Sequence, residues 1–253
     1  MTAQQQTVEV SRPHLVLALC EAPRALAEYA LLQPALPLLR RMPAGDGHAV
    51  MVLPGFMGSD KFNQPLVRYL RELGYRAGGW GLGRNRGVAS LNRQQLEREI
   101  DKLTEGGAFP ISLVGHSLGG IYAREIARRR PDIVRQVISL GSPFGHGGDA
   151  GSNASRLYDR LNPDKRDDHT AQRERLATAP PVPTTAVYTR GDGVVNWRTA
   201  MQHDGHDQTQ NIRVQGSHCG LTLNAAVWYI LADRLAQPAD NWQPFSWNPK
   251  ATH

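Results

Sequence analysis

From His48 onward, short apolar runs alternate with segments whose apolar residues recur every three or four positions. "HAVMVLPG", "YRAGGWG", "ISLVGHS", "IVRQVISLGSPF", "TTAVYTRGDGVV" and "NIRVQGSHCG" read as strands, and "QPLVRYLRELG", "LNRQQLEREIDKLTEGG", "LGGIYAREIARRRP" and "LNAAVWYILADRLAQ" read as helices. Strands that alternate with helices pair in parallel, because each crossover helix returns the chain to the side where the next strand starts. The expected class is α/β: a mostly parallel sheet of about six strands, helices on both faces, and a small helical cap.

The alternation also sets the expected boundaries. Residues 1–47 are an N-terminal helical segment, in which "APRALAEYALLQPALPLLRRMP" predicts two short helices interrupted by Pro34 and Pro37. Residues 48–144 and 184–237 make the core. Between them the polar interval 145–183 breaks the pattern, carries two short helical stretches near "SNASRLYDRL" and "DDHTAQRERLA", and reads as a cap insertion over the sheet; residues 238–253 are a C-terminal tail. A chain of 253 residues with 40% hydrophobic content can bury one large core.

Composition excludes several functions. The net charge of +6 comes from 25 arginines and only 4 lysines, scattered except for Arg128, Arg129 and Arg130, which sit where a helix C-terminus favours cations. No nucleic-acid-binding signature accompanies the charge, so no nucleic-acid partner is expected. Cys20 and Cys219 are too few for a disulfide framework and are expected as thiols. "HLVLALC" is short for a secretion signal and lacks a small-residue cleavage site, and Leu19 before Cys20 does not suit a lipoprotein signal. No run approaches the roughly 20 apolar residues that span a bilayer. A cytoplasmic protein without stable membrane insertion is expected.

The chemistry collects at the strand ends. Open α/β sheets gather reactive groups beyond the carboxyl ends of their strands. There, "GHSLG" places Ser117 between Gly115 and Gly119 at a strand-to-helix junction. Such a turn exposes a serine hydroxyl above the sheet and aims the helix's free N–H groups at any anion forming beside it, with Leu118 as one donor. A serine nucleophile needs a base and a carboxylate to orient that base. Asp192 in "TRGDGVV" and His218 in "GSHCG" each follow a strand, in the chain order this architecture requires. Asp149 and Asp207 are weaker carboxylates, and His146 precedes Asp192. The ring of His116 is expected to point elsewhere. His203 and His206, with Asp204 and Asp207, read as a solvated loop, so no metal site is expected. A second oxyanion donor is expected after the first strand, in "LPGFMGS": Phe56 N–H, with Met57 next.

Together "LPGFMGS", "GHSLGG", "LGSPFG", "RGDGVV" and "GSHCGL" resemble the α/β-hydrolase superfamily, in its bacterial serine esterase and lipase branch. The resemblance implies a triad of Ser117, His218 and Asp192, an oxyanion hole from Phe56 and Leu118, and no cofactor. Two departures stand out. The superfamily's usual first two strands are not evident before His48, which implies a reduced sheet, and Pro54 stands where many relatives carry histidine. The implied reaction is hydrolysis of a small-molecule carboxylic ester with a short or medium acyl chain through an acyl-enzyme. An acyltransferase would use the same residues, and a non-catalytic binding protein on the same scaffold is the remaining alternative. Met57, Leu157 and Leu161 are expected to contact substrate, with Tyr158 and Leu176 nearby in the cap and Trp80 and Phe144 as further lining. Natural substrate and oligomeric state are left open by the sequence.

Overall fold

A computed structural model describes residues 10–87, 91–146, 151–163 and 174–247. Its strands are β1 (Ala49–Leu53), β2 (Arg76–Gly79), β3 (Ile111–His116), β4 (Val134–Leu140), β5 (Thr184–Thr189) and β6 (Thr209–Val214). They form one sheet in the order β2-β1-β3-β4-β5-β6, with every neighbouring pair parallel. The helices are α1 (Leu15–Leu19), α2 (Glu21–Leu39), α3 (Asp60–Glu72), α4 (Arg93–Thr104), α5 (Leu118–Arg129), α6 (Ser155–Leu161) and α7 (Ala225–Ala236). Among the described residues no helix is long and apolar enough to cross a membrane.

The near-continuous apolar strands are explained by burial on both faces. Along β1, Val50 and Val52 point to one side and Ala49, Met51 and Leu53 to the other. The first side packs on α2, α3 and α7 through Leu32, Leu66, Leu70, Trp228 and Leu231. Tyr69 and Trp228 stack there at 4.6 Å, and the Tyr69 hydroxyl donates to Leu39 O at 3.0 Å. On the second side, α4 and α5 supply Leu96, Ile100, Ala123 and Ile126. Residues 238–247 run back to β6, where Gln210 Nε2 donates to Phe245 O at 2.9 Å and Phe245 N donates to the Gln210 side chain at 2.6 Å.

One expectation about the N-terminal segment is corrected. Instead of two short helices broken at Pro34 and Pro37, α2 is a single helix of 19 residues that runs through both. Each proline removes one N–H from the helix ladder. Both lie on the exposed face, where the carbonyls freed one turn earlier, at Ala30 and Gln33, can turn to water. The opposite face docks through Ala25, Leu32 and Leu39, so tertiary packing outweighs the break.

Candidate active site

The junction between β3 and α5 is tight. Ser117 has φ 51° and ψ −121°, a conformation that costs a non-glycine residue of order 1–3 kcal/mol. The glycines around it are required by contact. A Cβ on Gly115 would lie 2.4 Å from Gly119 O, one on Gly119 2.3 Å from Leu53 O, and one on Gly120 1.9 Å from Ser142 Oγ. The crossing of β1, β3 and α5 therefore holds the serine in its strained turn. Ser117 N donates to Leu140 O at 2.8 Å, which ties the turn to the end of β4.

Two further strand ends converge here. Asp192 follows β5 and His218 follows β6, and His218 Nδ1 lies 2.6 Å from Asp192 Oδ2. The other carboxylate oxygen, Oδ1, accepts from Val194 N at 2.9 Å and Val195 N at 2.6 Å. Both side chains are buried. Burial, the largest influence on His218, pushes its pKa down, but the charge and hydrogen bond of Asp192 and the charge of Glu21 together hold it above the ordinary 6.5. His116 does not point away. Its Nε2 donates to His218 O at 2.9 Å, and the two rings lie 4.9 Å apart. Burial, then the neighbouring His218, lowers its pKa to about 3, so it stays neutral.

The loop after β1 faces Ser117. Met57 N donates to Asn85 O at 2.6 Å, which leaves Phe56 N–H and Leu118 N–H without a hydrogen-bond partner among the described residues. Asn85, fully buried, fastens this loop: its Nδ2 donates to Pro54 O at 2.8 Å and its N to Gly58 O at 2.8 Å. Met57 itself has φ 62°, a second strained residue at the site. Pro54, Gly55, Phe56, Met57, Ser117, Leu118 and His218 border one cleft of about 1290 Å³.

No protein-family model matches the chain. A curated relative from Variovorax paradoxus (strain S110), named as the carbamate hydrolase RutD, is 30% identical over 103 residues, which is 38% of this chain. The match spans 39% of that relative's length. Among solved structures, that reported for LipS and LipT, two metagenome-derived lipolytic enzymes, covers 77% of this chain and 94% of its own at 17% identity, with a TM-score of 0.56. A point variant of the pyrethroid hydrolase PytH covers 77% of this chain and all of its own at 16% identity, with a TM-score of 0.55. The chain has the α/β-hydrolase fold. Among the described residues the sheet has six strands, of which β1 is the first in sequence.

Within this fold the structure sorts the residues expected to meet substrate. Met57 and Phe144 line the cleft. Trp80 does not: its ring is fully buried in the core, stacked at 6.3 Å on Tyr122, with Nε1 donating to Gly83 O at 2.9 Å. The sequence suggested cleft lining, but Asp60 caps that turn through Trp80 N and Gly81 N, and the ring lies in the core. Leu157 and Leu161 are also displaced. They are 47% and 37% exposed, whereas Ser155, Tyr158 and Asp159 of the same helix and its C-cap Asn162 line the cleft. Helical spacing of three and four puts those four on one face and the two leucines, four apart, on the other. Leu176 lines the cleft as well.

The rival residues lie elsewhere. His146 is exposed, and Asp149 lies outside the described residues. His203 Nε2 is 3.3 Å from Arg198 O, His206 Nε2 is 2.9 Å from Pro180 O, and Asp207 is exposed ahead of β6. Sequence reasoning missed Asn85, which looks like one polar residue in the glycine-rich turn "GLGRNRG". It also missed Glu21, whose signal was a carboxylate at the start of a largely apolar helix that carries Arg24 and Glu28 at the following positions of the same face.

Proposed function

We propose that the chain is a serine hydrolase that cleaves carboxylic esters of short or medium acyl chains through an acyl-enzyme. The observation that carries this reading is the 2.6 Å contact between Asp192 and His218, the latter lining the same cleft as the strained Ser117. Nδ1–H donation to Asp192 fixes the tautomer and leaves Nε2 as the basic nitrogen. Ser117 Oγ attacks the ester carbonyl as Nε2 takes its proton, and Phe56 N–H and Leu118 N–H receive the oxyanion. The imidazolium then protonates the departing alcohol, and water, activated by the same nitrogen, releases the acid. Asp192 stabilises the transient imidazolium without accepting its proton. α6 acts as part of the cap, with its Tyr158 packed edge-on to Phe56 at 5.4 Å. Leu96, Ile121, Phe144 and Leu176 supply apolar lining for an acyl chain.

The test joins three measurements. A fluorophosphonate probe should label the parent protein at Ser117 and should not label Ser117→Ala. p-Nitrophenyl esters of graded acyl length should be turned over best at four to eight carbons, a range of about 1–3 kcal/mol per methylene in an apolar pocket being enough to read. A carbamate and an alcohol acceptor complete the panel. Parental labelling in Ser117→Ala would sink the assignment, and faster carbamate cleavage or alcohol acylation would move it to that class.

A further inference from the structure

We infer that α2 is a latch, and that Glu21, Arg24 and Glu28 on it are positioning residues for the loops that carry Asp192 and His218. The inference rests on the proposed hydrolase reading for its catalytic meaning. Its structural basis is separate.

The three residues follow one another at i, i+3 and i+7 and so share a face of α2. That face is turned inward, where charged side chains are rare unless paired. Glu21 is 5% exposed. Its Oε1 accepts from Gly193 N at 2.7 Å and from His218 N at 3.1 Å, and its Oε2 accepts from Cys219 N at 2.8 Å. One carboxylate therefore holds the residue after Asp192 and the backbone of His218 itself. Arg24 does the same with carbonyls: Nη1 donates to Gly191 O at 2.7 Å and Nη2 to Gly216 O at 2.5 Å. Glu28 accepts from Ser217 N and Ser217 Oγ, both at 2.6 Å, and from Asn224 Nδ2 at 2.8 Å. Every one of these bonds to the Asp192 and His218 loops spares the Asp192 and His218 side chains, which are left for each other.

A second, independent observation is steric. A Cβ on Gly191 would lie 2.6 Å from Arg24 Nη2, on Gly193 2.4 Å from the Leu17 backbone, on Gly216 2.7 Å from Glu28 Oε2, and on Gly220 2.5 Å from the Glu28 carboxylate. None of the four has a positive φ. The glycines of "RGDGVV" and "GSHCG" thus serve clearance for α1 and α2, not turn conformation.

The latch also has an electrostatic signature at His218. The groups around that ring are Asp192 at Nδ1, Glu21 beneath its backbone, His116 beside it and the neighbouring Cys219 thiol, with Arg24 and Glu28 one shell away. The Glu21 charge favours the imidazolium. Its removal lowers the His218 pKa, so the acid limb of kcat/KM moves to lower pH. A helix that only added packing would leave that limb in place.

The experiment uses the full chain with Glu21→Gln, Glu21→Asp, Arg24→Gln and, on the exposed outer face of α2, Leu26→Ala. Glutamine keeps one acceptor oxygen but turns an amide toward Cys219 N–H. Histidine ring titration by NMR is read on every variant, and p-nitrophenyl butyrate turnover beside it. Expected for Glu21→Gln are a His218 ionisation shifted to lower pH, kcat lower by about 10- to 100-fold as for a misplacement below 1 Å, and KM near the parental value. Glu21→Asp should restore the ionisation, and Leu26→Ala should match the parent in both. Arg24→Gln should lower kcat without lowering the ionisation, and it carries the test if Glu21→Gln does not fold. A folded Glu21→Gln or Arg24→Gln with parental kcat overturns the latch, as does an unmoved His218 titration in Glu21→Gln. A parent protein without ester turnover or probe labelling refutes the hydrolase reading instead, and the latch then stands or falls on the titration alone.

Discussion

Gly119→Ala tests whether the crossing of β1 and α5 sets the site. The added Cβ would meet Leu53 O at 2.3 Å, Leu53 C at 2.7 Å and Pro54 O at 2.8 Å. All three are backbone atoms, so no rotamer change relieves the clash. Ordinary contact begins near 3.4 Å, and the two elements must therefore part by about 1 Å. Two effects oppose each other. Alanine in place of glycine favours a helix by about 1 kcal/mol. Overpacking costs about 1–3 kcal/mol, and the upper half of that range applies where both sides are backbone. The net loss is about 1–2 kcal/mol, which lowers Tm by about 2–8 °C in a chain of this size. The effect on rate is larger. Leu118 N–H moves with α5 and Phe56 N–H with the end of β1, so the parting opens the gap between the two proposed oxyanion donors, and a 1 Å misplacement costs about 100-fold. Thermal unfolding followed by circular dichroism and p-nitrophenyl butyrate turnover read the two effects on one sample. Parental Tm together with parental kcat would refute the proposed contact between β1 and α5.

In the parent, kcat/KM should rise with pH through one ionisation above 6.5, because only neutral imidazole accepts the serine proton and His218 is held above its ordinary value; Asp192→Asn should lower kcat on the order of 10⁴. His116 has a folded pKa of about 3, below its unfolded 6.5, so the stability it contributes is present above 6.5 and is lost progressively as pH falls toward 3. His116→Asn should accordingly show a smaller drop in Tm between pH 7.5 and pH 5 than the parent does. Leu157→Ala and Leu161→Ala should leave the acyl-length profile unchanged while Tyr158→Ala shifts it, since only Tyr158 of the three lines the cleft; a shift with either leucine would reverse that facing.

The parts legible in the sequence were those governed by local rules. Six apolar runs announced six strands, and the strand–glycine–serine–helix junction announced the tight turn at Ser117, where Gly115, Gly119 and Gly120 have no room for a Cβ. Asp192 and His218 were singled out by their place after strands, and the structure brings their side chains together. Trp80 was misplaced because a strand-end aromatic can turn either way, and here the ring lies in the core. Leu157 and Leu161 were misplaced because a short helix announces its apolar residues but not which face meets the cleft. Asn85 and Glu21 escaped because their partners are distant in sequence: Asn85 reaches Pro54 across 31 positions and Glu21 reaches Cys219 across 198. No periodicity encodes such a bond.

That last separation has a consequence for how the molecule comes into being. The entropy of closing a loop grows only with the logarithm of its length, so joining Glu21 to Cys219 adds little to the equilibrium cost. The kinetic cost is another matter, since contacts between remote segments are slow to form. During synthesis α2 leaves the ribosome before any strand of the sheet, and the loops it grips arrive only after β5 and β6. A growing chain can thus fold Ser117 into its turn between β3 and α5 while the imidazole is still unmade. α2 is made early and used late, and its grip on the two loops closes only when the segment around Glu21 meets the segment around Cys219.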